Sequence, residues 1–433
     1  MDFNVKNLGQ SRFLSPLLDR ISEHEFNYVM DDNRIYYSIY TDNDSCRKDH
    51  SFELAGPRKM IYFEPKKVRA AIVTCGGLCP GLNDVIRSIV NESHYIYGAE
   101  TIYGFMYGYG GLSPDSPHKP VVLTPTLVKD IHKKGGTILG SSRGGTEDME
   151  RLVDTLEKMR INILYALGGD GTLKGANRIA EVAAARGFEL AVVGVPKTID
   201  NDISYIQRSF GFESAFSKAV ESISSAHVEA EGAQNGIGLV KLMGRHSGYI
   251  AAYATLAVND VNFTLIPEVP FELEGDNGLL VHLKRRMEVR GHAVICVAEG
   301  AGQELLKDAK EVKKDASGNV VLEDIGIYLK NAINKYFKGQ GIDINMKYID
   351  PSYNIRSTPA NPNDSIYCAL LGQYAVHAAM AGKTDMVVGQ WNNFFTHVPI
   401  ELAISKRKKI DPNSRIWHNV IQATGQPIRM VNK

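Results

Sequence analysis

The chain has 433 residues, of which 44% are hydrophobic and 23% charged, and its 49 Lys and Arg balance 49 Asp and Glu. That length and apolar content provide a sizeable core and predict more than one domain. A net charge of zero creates no global field for nucleic acid or membrane surfaces, and no uninterrupted apolar run is long enough to cross a bilayer, so neither partner is expected.

In chain order, residues 1–66 read as an N-terminal extension, rich in aromatic and charged residues without clear alternation and punctuated at its end by Pro57 and Pro65. Met1-Asp2-Phe3-Asn4 lacks the charged-then-apolar profile of a signal peptide, and a cytoplasmic location is expected. The cysteine pattern agrees. Cys46, Cys75, Cys79, Cys296 and Cys368 are odd in number and scattered, which argues against a disulfide framework. From Lys67 onward strand and helix signals alternate. Val68 to Thr74 is a strand ending in Cys75-Gly76-Gly77-Leu78-Cys79-Pro80-Gly81. No second Cys/His pair completes a zinc site, so both cysteines read as small loop-lining residues. Leu82, Val85, Ile86, Ile89 and Val90 share one helix face, with Gly98 as a C-cap.

A strand follows near Thr101 to Phe105, then the glycine-rich turn Leu139-Gly140-Ser141-Ser142-Arg143-Gly144-Gly145. Glu147 to Arg160 is amphipathic, with Met149, Leu152, Val153, Leu156 and Met159 as a core-facing stripe. The apolar run Ile163 to Leu167 leads into Gly168-Gly169-Asp170-Gly171-Thr172 and a helix. Leu190 to Val195 leads into Pro196-Lys197-Thr198-Ile199-Asp200-Asn201-Asp202, and Gly236 to Leu242 into Met243-Gly244-Arg245. Further strands are expected at Val261–Ile266, Ala293–Ala298 and Met386–Gly389. Such alternation predicts an α/β fold with mainly parallel sheets covered by helices on both faces, and ligands beyond the carboxyl ends of the strands. Gln303 to Asp324 reads as a charged, solvated excursion, and Lys406-Arg407-Lys408-Lys409 as a solvated basic surface in a tail after residue 400.

Phosphoryl transfer needs cations around the phosphates, a positioned acceptor, and a carboxylate for the acceptor proton. The loops supply these residue types. Gly76, Gly77, Gly168 and Gly169 allow close backbone approach to phosphates. Asp170 offers a carboxylate to Mg²⁺. Arg143, Lys197 and Arg245 offer positive charge, Thr198 a hydrogen bond, and Asp200 and Asp202 two carboxylates. Alternate positions in an extended loop face opposite ways, so these two carboxylates are expected to have different roles.

These motifs, in this order from about Lys67 to Gly389, resemble the 6-phosphofructokinase family. Cys75 to Asn83 looks like its first nucleotide loop, Gly168 to Thr172 its Mg²⁺-phosphate loop, Thr198 to Asp202 its catalytic loop, and Met243 to Arg245 its sugar-phosphate loop. The resemblance implies two three-layer α/β/α domains with the active site in the cleft between them. Residues 67–212, completed by about 355–400, would bind nucleotide; residues 213–354 would bind sugar phosphate; residues 401–433 would form a C-terminal tail. It further implies Asp200 as the base on the sugar 1-hydroxyl, Thr198 and Arg245 on the transferring phosphoryl group, and Asp202 assisting. Glu299 would hold sugar hydroxyls. Met243, Gly244, Tyr353 and Arg356 would contact the sugar phosphate, Gly171 and Thr172 would bind ATP, and Tyr109 would help close the nucleotide or the active site. Mg²⁺, ATP and fructose 6-phosphate are the implied ligands, and a homotetramer, or else a dimer, the implied assembly.

The family uses either ATP or pyrophosphate, and three positions bear on that choice. Gly171 leaves room for a nucleotide where pyrophosphate enzymes typically carry aspartate. Asn201 stands where they commonly have glycine. Lys197 matches the pyrophosphate enzymes. Gly171 decides whether a nucleotide fits, so ATP is the expected donor and pyrophosphate the alternative. Gly-Gly-Asp-Gly-Thr also occurs in NAD and lipid kinases, and a non-catalytic regulatory subunit is a third reading, against which Asp200 stands. Compared with the simple bacterial enzymes, no arginine stands near Asn235-Gly236, Lys347 replaces a second neighbour-subunit residue, and Tyr353 replaces a histidine. Their effector site does not transfer.

Overall fold

The apolar runs fold as parallel strands because each is buried on both faces, and the amphipathic segments cover those faces. The computed structural model describes residues 2–19, 28–40, 50–145, 147–306 and 321–432. The chain divides into two units. The first comprises Met1–Thr198, Ile203–Gly211 and Ser357–Arg407; the second comprises Ile199–Asp202, Phe212–Arg356 and Lys408–Lys433.

Among the described residues the first unit is built on a nine-stranded sheet. Its middle consists of parallel neighbours in the order Met386–Trp391, Ala191–Pro196, Ile163–Gly168, Arg69–Thr74 and Thr101–Phe105. Antiparallel strands finish both edges: Phe394–Pro399, Ser51–Leu54 and Arg34–Tyr36 on one side, Val121–Val122 on the other. Side chains alternate across the sheet. Ala71, Val73, Leu164, Ala166 and Val192 pack with Leu152, Val153 and Leu156 of the Met149–Lys158 helix and with Leu173, Ala176 and Ile179 of the Asp170–Ala185 helix. Asp148 caps the first of these helices by accepting from the Arg151 N–H. The Leu82–Asn91 and Pro362–Met380 helices pack on each other, and the latter also against Ala191–Pro196.

The N-terminal segment is part of this unit. Ser51–Leu54 pairs with Phe394–Pro399, and the buried Glu53 carboxylate meets Arg58, Lys383 and His397. The predicted helix from Leu82 ends in a π-helical turn, Glu92–Ile96, before Gly98 takes the left-handed conformation at φ 67°.

The second unit holds a fully parallel four-stranded sheet in the order Phe263–Leu265, His292–Ala298, Gly236–Leu242 and Asn345–Ile349. Ile237, Leu239, Ile295 and Val297 form a core with Leu280 and Leu283 of the Leu279–Arg290 helix and Leu329 and Ile333 of the Ile325–Gly339 helix. The Phe212–Glu231 helix lies so close to the Gly236–Leu242 strand that a Cβ at Gly238 would come within 2.8 Å of the Ala226 carbonyl. Most of the predicted charged excursion, residues 307–320, lies outside the described residues, as does Cys46. At its end, Asp324 caps the Ile325–Gly339 helix and pairs with Lys241.

Candidate active site

In the first unit three adjacent parallel strands deliver three loops to one edge of the sheet. Thr74 stands opposite Leu167, and Pro196 opposite Gly168. Hydrogen bonds then lock the loops together. The Gly76 N–H donates to the Ser142 carbonyl over 2.8 Å, and the Ser141 hydroxyl donates back to the Gly76 carbonyl over 2.6 Å. Arg143, next along that turn, is exposed. The Lys197 N–H donates to the Gly168 carbonyl over 3.0 Å, while its buried ammonium donates to the Gly77 carbonyl over 2.7 Å. Lys197 therefore joins the first glycine loop to the Gly168–Thr172 loop.

The Asp170–Ala185 helix starts from Gly169, which offers no side-chain cap, so its leading N–H groups are left for an anion. The Asp170 carboxylate lies 2.9 Å from Lys174 and 3.8 Å from the Arg407 guanidinium. Gly171 is exposed, and a Cβ there would meet nothing within 4 Å. Thr172 is buried, and its carbonyl accepts from the Tyr109 hydroxyl over 2.6 Å. Tyr109 is itself a core residue, only 2% exposed, with its phenol pKa raised by burial. It thus supports the first turn of the helix from beneath. Among the described residues no group of three or more His, Cys, Asp or Glu side chains could cage a metal ion. A half-buried carboxylate at a helix N-terminus instead fits Mg²⁺ that arrives on nucleotide phosphates, which needs only one or two protein carboxylates.

In the second unit the turn Ile199–Asp202 carries both carboxylates. Asn201 is buried with φ at 52°, a left-handed conformation that glycine and asparagine both accept. The residue type at 201 thus meets a backbone demand that glycine would meet as well. The Ser247 hydroxyl donates to the Asp200 carbonyl over 2.7 Å, tying this turn to the loop that carries Arg245.

That loop and the one at Glu299 leave adjacent parallel strands, with Leu242 opposite Ala298. The Gly300 N–H donates to the Gly244 carbonyl over 3.1 Å, and a Cβ at Gly300 would lie 2.0 Å from the Arg245 carbonyl, so only glycine allows this approach. Burial pushes the Glu299 carboxyl pKa up, against the opposing pull of Arg245 and Lys241. Burial also works against the Lys241 ammonium, but its hydrogen bonds to Asp350 and Asp324 raise its pKa. Lys347 pairs with Glu229 over 3.3 Å. Tyr353 is 73% exposed on the short Ser352–Arg356 helix, with the Arg356 guanidinium 5.0 Å from its ring centre.

In the basic run Lys406 to Lys409, Lys406, Arg407 and Lys409 are exposed as its composition predicts, but the run also makes contacts that composition does not suggest. The Arg407 guanidinium approaches Asp170, and Lys408 is half-buried. The Lys408 ammonium donates to Asn201 Oδ1 over 3.0 Å, and its N–H to the Asp202 carbonyl over 2.8 Å. Burial lowers the Lys408 pKa to about 7, against the upward pull of Asp202. Sequence reasoning missed this pair because four consecutive basic residues look like an exposed face. No spacing rule links positions 201 and 408.

The family model described as Phosphofructokinase matches residues 69–379, and the chain belongs to that family. It is 53% identical to the ATP-dependent 6-phosphofructokinase of Borreliella burgdorferi, over 100% of this chain and 98% of that protein. It is 47% identical to the ATP-dependent 6-phosphofructokinase of Amycolatopsis methanolica, over 98% and 95% of the two chains. The solved structure of a pyrophosphate-dependent phosphofructokinase from Nitrosospira multiformis shares the fold, with a TM-score of 0.68 and 17% identity over 83% of this chain and 92% of that one.

Proposed function

We propose that the protein transfers the γ-phosphoryl group of ATP to the 1-hydroxyl of fructose 6-phosphate, giving fructose 1,6-bisphosphate and ADP at the committed step of glycolysis. Family membership and relatives named ATP-dependent 6-phosphofructokinase over nearly the full chain support this reading over a pyrophosphate-dependent one. The structural observation that carries it is Asp200, present in a turn that Ser247 ties to the Arg245 loop.

In this reading the first unit takes the nucleotide. Gly76, Gly77, Gly168, Gly169 and the leading N–H groups of the Asp170 helix bind its phosphates. Arg143 adds charge, Gly171 leaves space, and Tyr109 holds the Thr172 turn in place. Asp170 would hold Mg²⁺, which when bound neutralises phosphate charge. The second unit takes the sugar phosphate. Glu299 binds its hydroxyls, and Met243, Gly244, Lys347, Tyr353 and Arg356 serve the 6-phosphate end. Asp200 accepts the proton of the 1-hydroxyl as its oxygen bonds to the γ-phosphorus. The bond from that phosphorus to the β–γ bridging oxygen breaks, and ADP leaves with the electron pair. Thr198, Lys197 and Arg245 stabilise the charge spreading over the phosphoryl oxygens, and Asp202 assists beside Asp200. An allosterically regulated cytoplasmic homotetramer, with a dimer as the alternative, completes the reading. Among the described residues no helix is long and apolar enough to cross a membrane.

The test is Asp200→Ser. Turnover is expected to fall about 10³-fold, the scale of a lost general base, with fructose 6-phosphate binding retained. Turnover equal to wild type would overturn the role of Asp200.

A further inference from the structure

We propose that Lys408 is a positioning residue for phosphoryl transfer: its ammonium group and backbone N–H hold the Ile199–Asp202 turn in the shape that presents Asp200 and Asp202. The proposal rests on the functional reading above and adds to it a residue from the C-terminal tail.

Three sets of contacts carry it. First, Lys408 grips the turn at two points, through Asn201 Oδ1 at 3.0 Å and the Asp202 carbonyl at 2.8 Å. Glycine would satisfy the left-handed backbone at 201 equally well, but only asparagine also offers Lys408 an acceptor. Second, the residues after Lys408 fix it to the loop that bears Arg245. The Tyr249 hydroxyl donates to the Lys409 carbonyl over 3.1 Å. Glu268 Oε1 accepts from both the Ile410 and the Gly248 N–H, each over 3.0 Å. Ser247 closes the circuit through its bond to Asp200. Residues 408–410 and 247–249 therefore hold the turn between them. Third, a ring face and a carboxylate lie beside the Lys408 ammonium and offset part of the cost of burying it. The Lys408 ammonium lies 5.3 Å from the Tyr249 ring centre, and Asp202 favours its charged form. Two carboxylates on one turn that must meet phosphorylated substrates need such a counter-charge.

A structural lysine would affect folding alone, whereas a positioning lysine affects turnover in a properly folded enzyme. The full chain is assayed as wild type, Lys408→Met, Lys408→Arg, Asn201→Gly and the Lys408→Met/Asn201→Gly double variant. Turnover with saturating ATP and fructose 6-phosphate is read beside the thermal midpoint and the calorimetric Kd for fructose 6-phosphate alone. Lys408→Met and Asn201→Gly are each expected to lower kcat about 10- to 100-fold, the worth of a charge-assisted hydrogen bond. The Kd should stay within about twofold. The double variant should be no slower than the slower single one, because both remove the same link. Lys408→Arg should recover much of the loss. Should Lys408→Met fail to fold, Asn201→Gly alone removes the same link and carries the test. Wild-type kcat in folded Lys408→Met and Asn201→Gly, or fully additive losses in the double variant, would overturn the proposal. An inactive wild type would overturn the functional reading and this proposal together; an active wild type with unaffected variants overturns this proposal alone.

Discussion

The Lys197 ammonium donates to the Gly77 carbonyl across 2.7 Å, so a residue from the loop after one strand fastens the loop after another. The side chain is buried, and this bond, which takes one of its N–H donors, holds the ammonium beside the first glycine loop. Lys197→Met keeps the stem and removes the bond, leaving the Gly77 carbonyl to find water. The expected result is a loss of about 1–3 kcal/mol in stability. A rise of at least about tenfold in KM for ATP should accompany it as the glycine loop loosens. Chemical unfolding and steady-state kinetics check the two effects separately.

Gly171 provides a cleaner probe of nucleotide fit. A Cβ at this exposed position would meet nothing within 4 Å apart from its own helix turn, so Gly171→Asp should fold normally. An aspartate in the first turn of a helix is electrostatically favourable, and the thermal midpoint should hold or rise slightly. Its charge would face the nucleotide phosphates, and KM for ATP is expected to rise by about tenfold or more. An unchanged KM for ATP would show that Gly171 does not govern nucleotide access.

The legible parts of this molecule were those with local signatures. Apolar runs such as Ile163–Gly168 and Ala191–Pro196 announce buried parallel strands, and glycine or proline marks where each becomes a loop. Asp170, Asp200 and Arg245 could be singled out because each stands in such a loop. What stayed hidden depends on contacts between distant positions. The tail reads as surface because four basic residues in a row usually are, yet Lys408 meets Asn201 from 207 positions away. Tyr109 sits in a glycine-rich stretch that suggests contact with a ligand, while its hydroxyl is spent on the Thr172 carbonyl within the core. The Ser51–Leu54 strand is short and carries a charged residue, Glu53, so its burial emerges only with its partners Arg58, Lys383 and His397.

That Glu53 cluster predicts an acid-sensitive anchor for the N-terminal segment. Burial alone would raise the Glu53 pKa, but the hydrogen bond from His397 and the charges of His397, Lys383 and Arg58 outweigh it and bring the carboxyl down to about 2 from the usual 4.5. A carboxyl whose pKa is lower in the folded than in the unfolded chain stabilises the fold fully above about 4.5 and loses that contribution as pH falls toward about 2. Glu53→Gln should therefore destabilise the protein by about 3 kcal/mol at neutral pH, because it leaves the buried Arg58 and Lys383 with only the more exposed Asp31 as a carboxylate partner. The gap to wild type should narrow below pH 4.5. Urea unfolding at stepped pH would show it, and a gap constant down to the acid limit would contradict the assignment.

The most direct test of the account is the initial rate of fructose 1,6-bisphosphate formation from fructose 6-phosphate and Mg²⁺, with the purified full chain and either ATP or pyrophosphate as donor. The account predicts turnover with ATP, formation of ADP in equal amount, and no product from pyrophosphate. Turnover with pyrophosphate and none with ATP would contradict it, and would make Lys197, rather than Gly171, the residue that decides the donor.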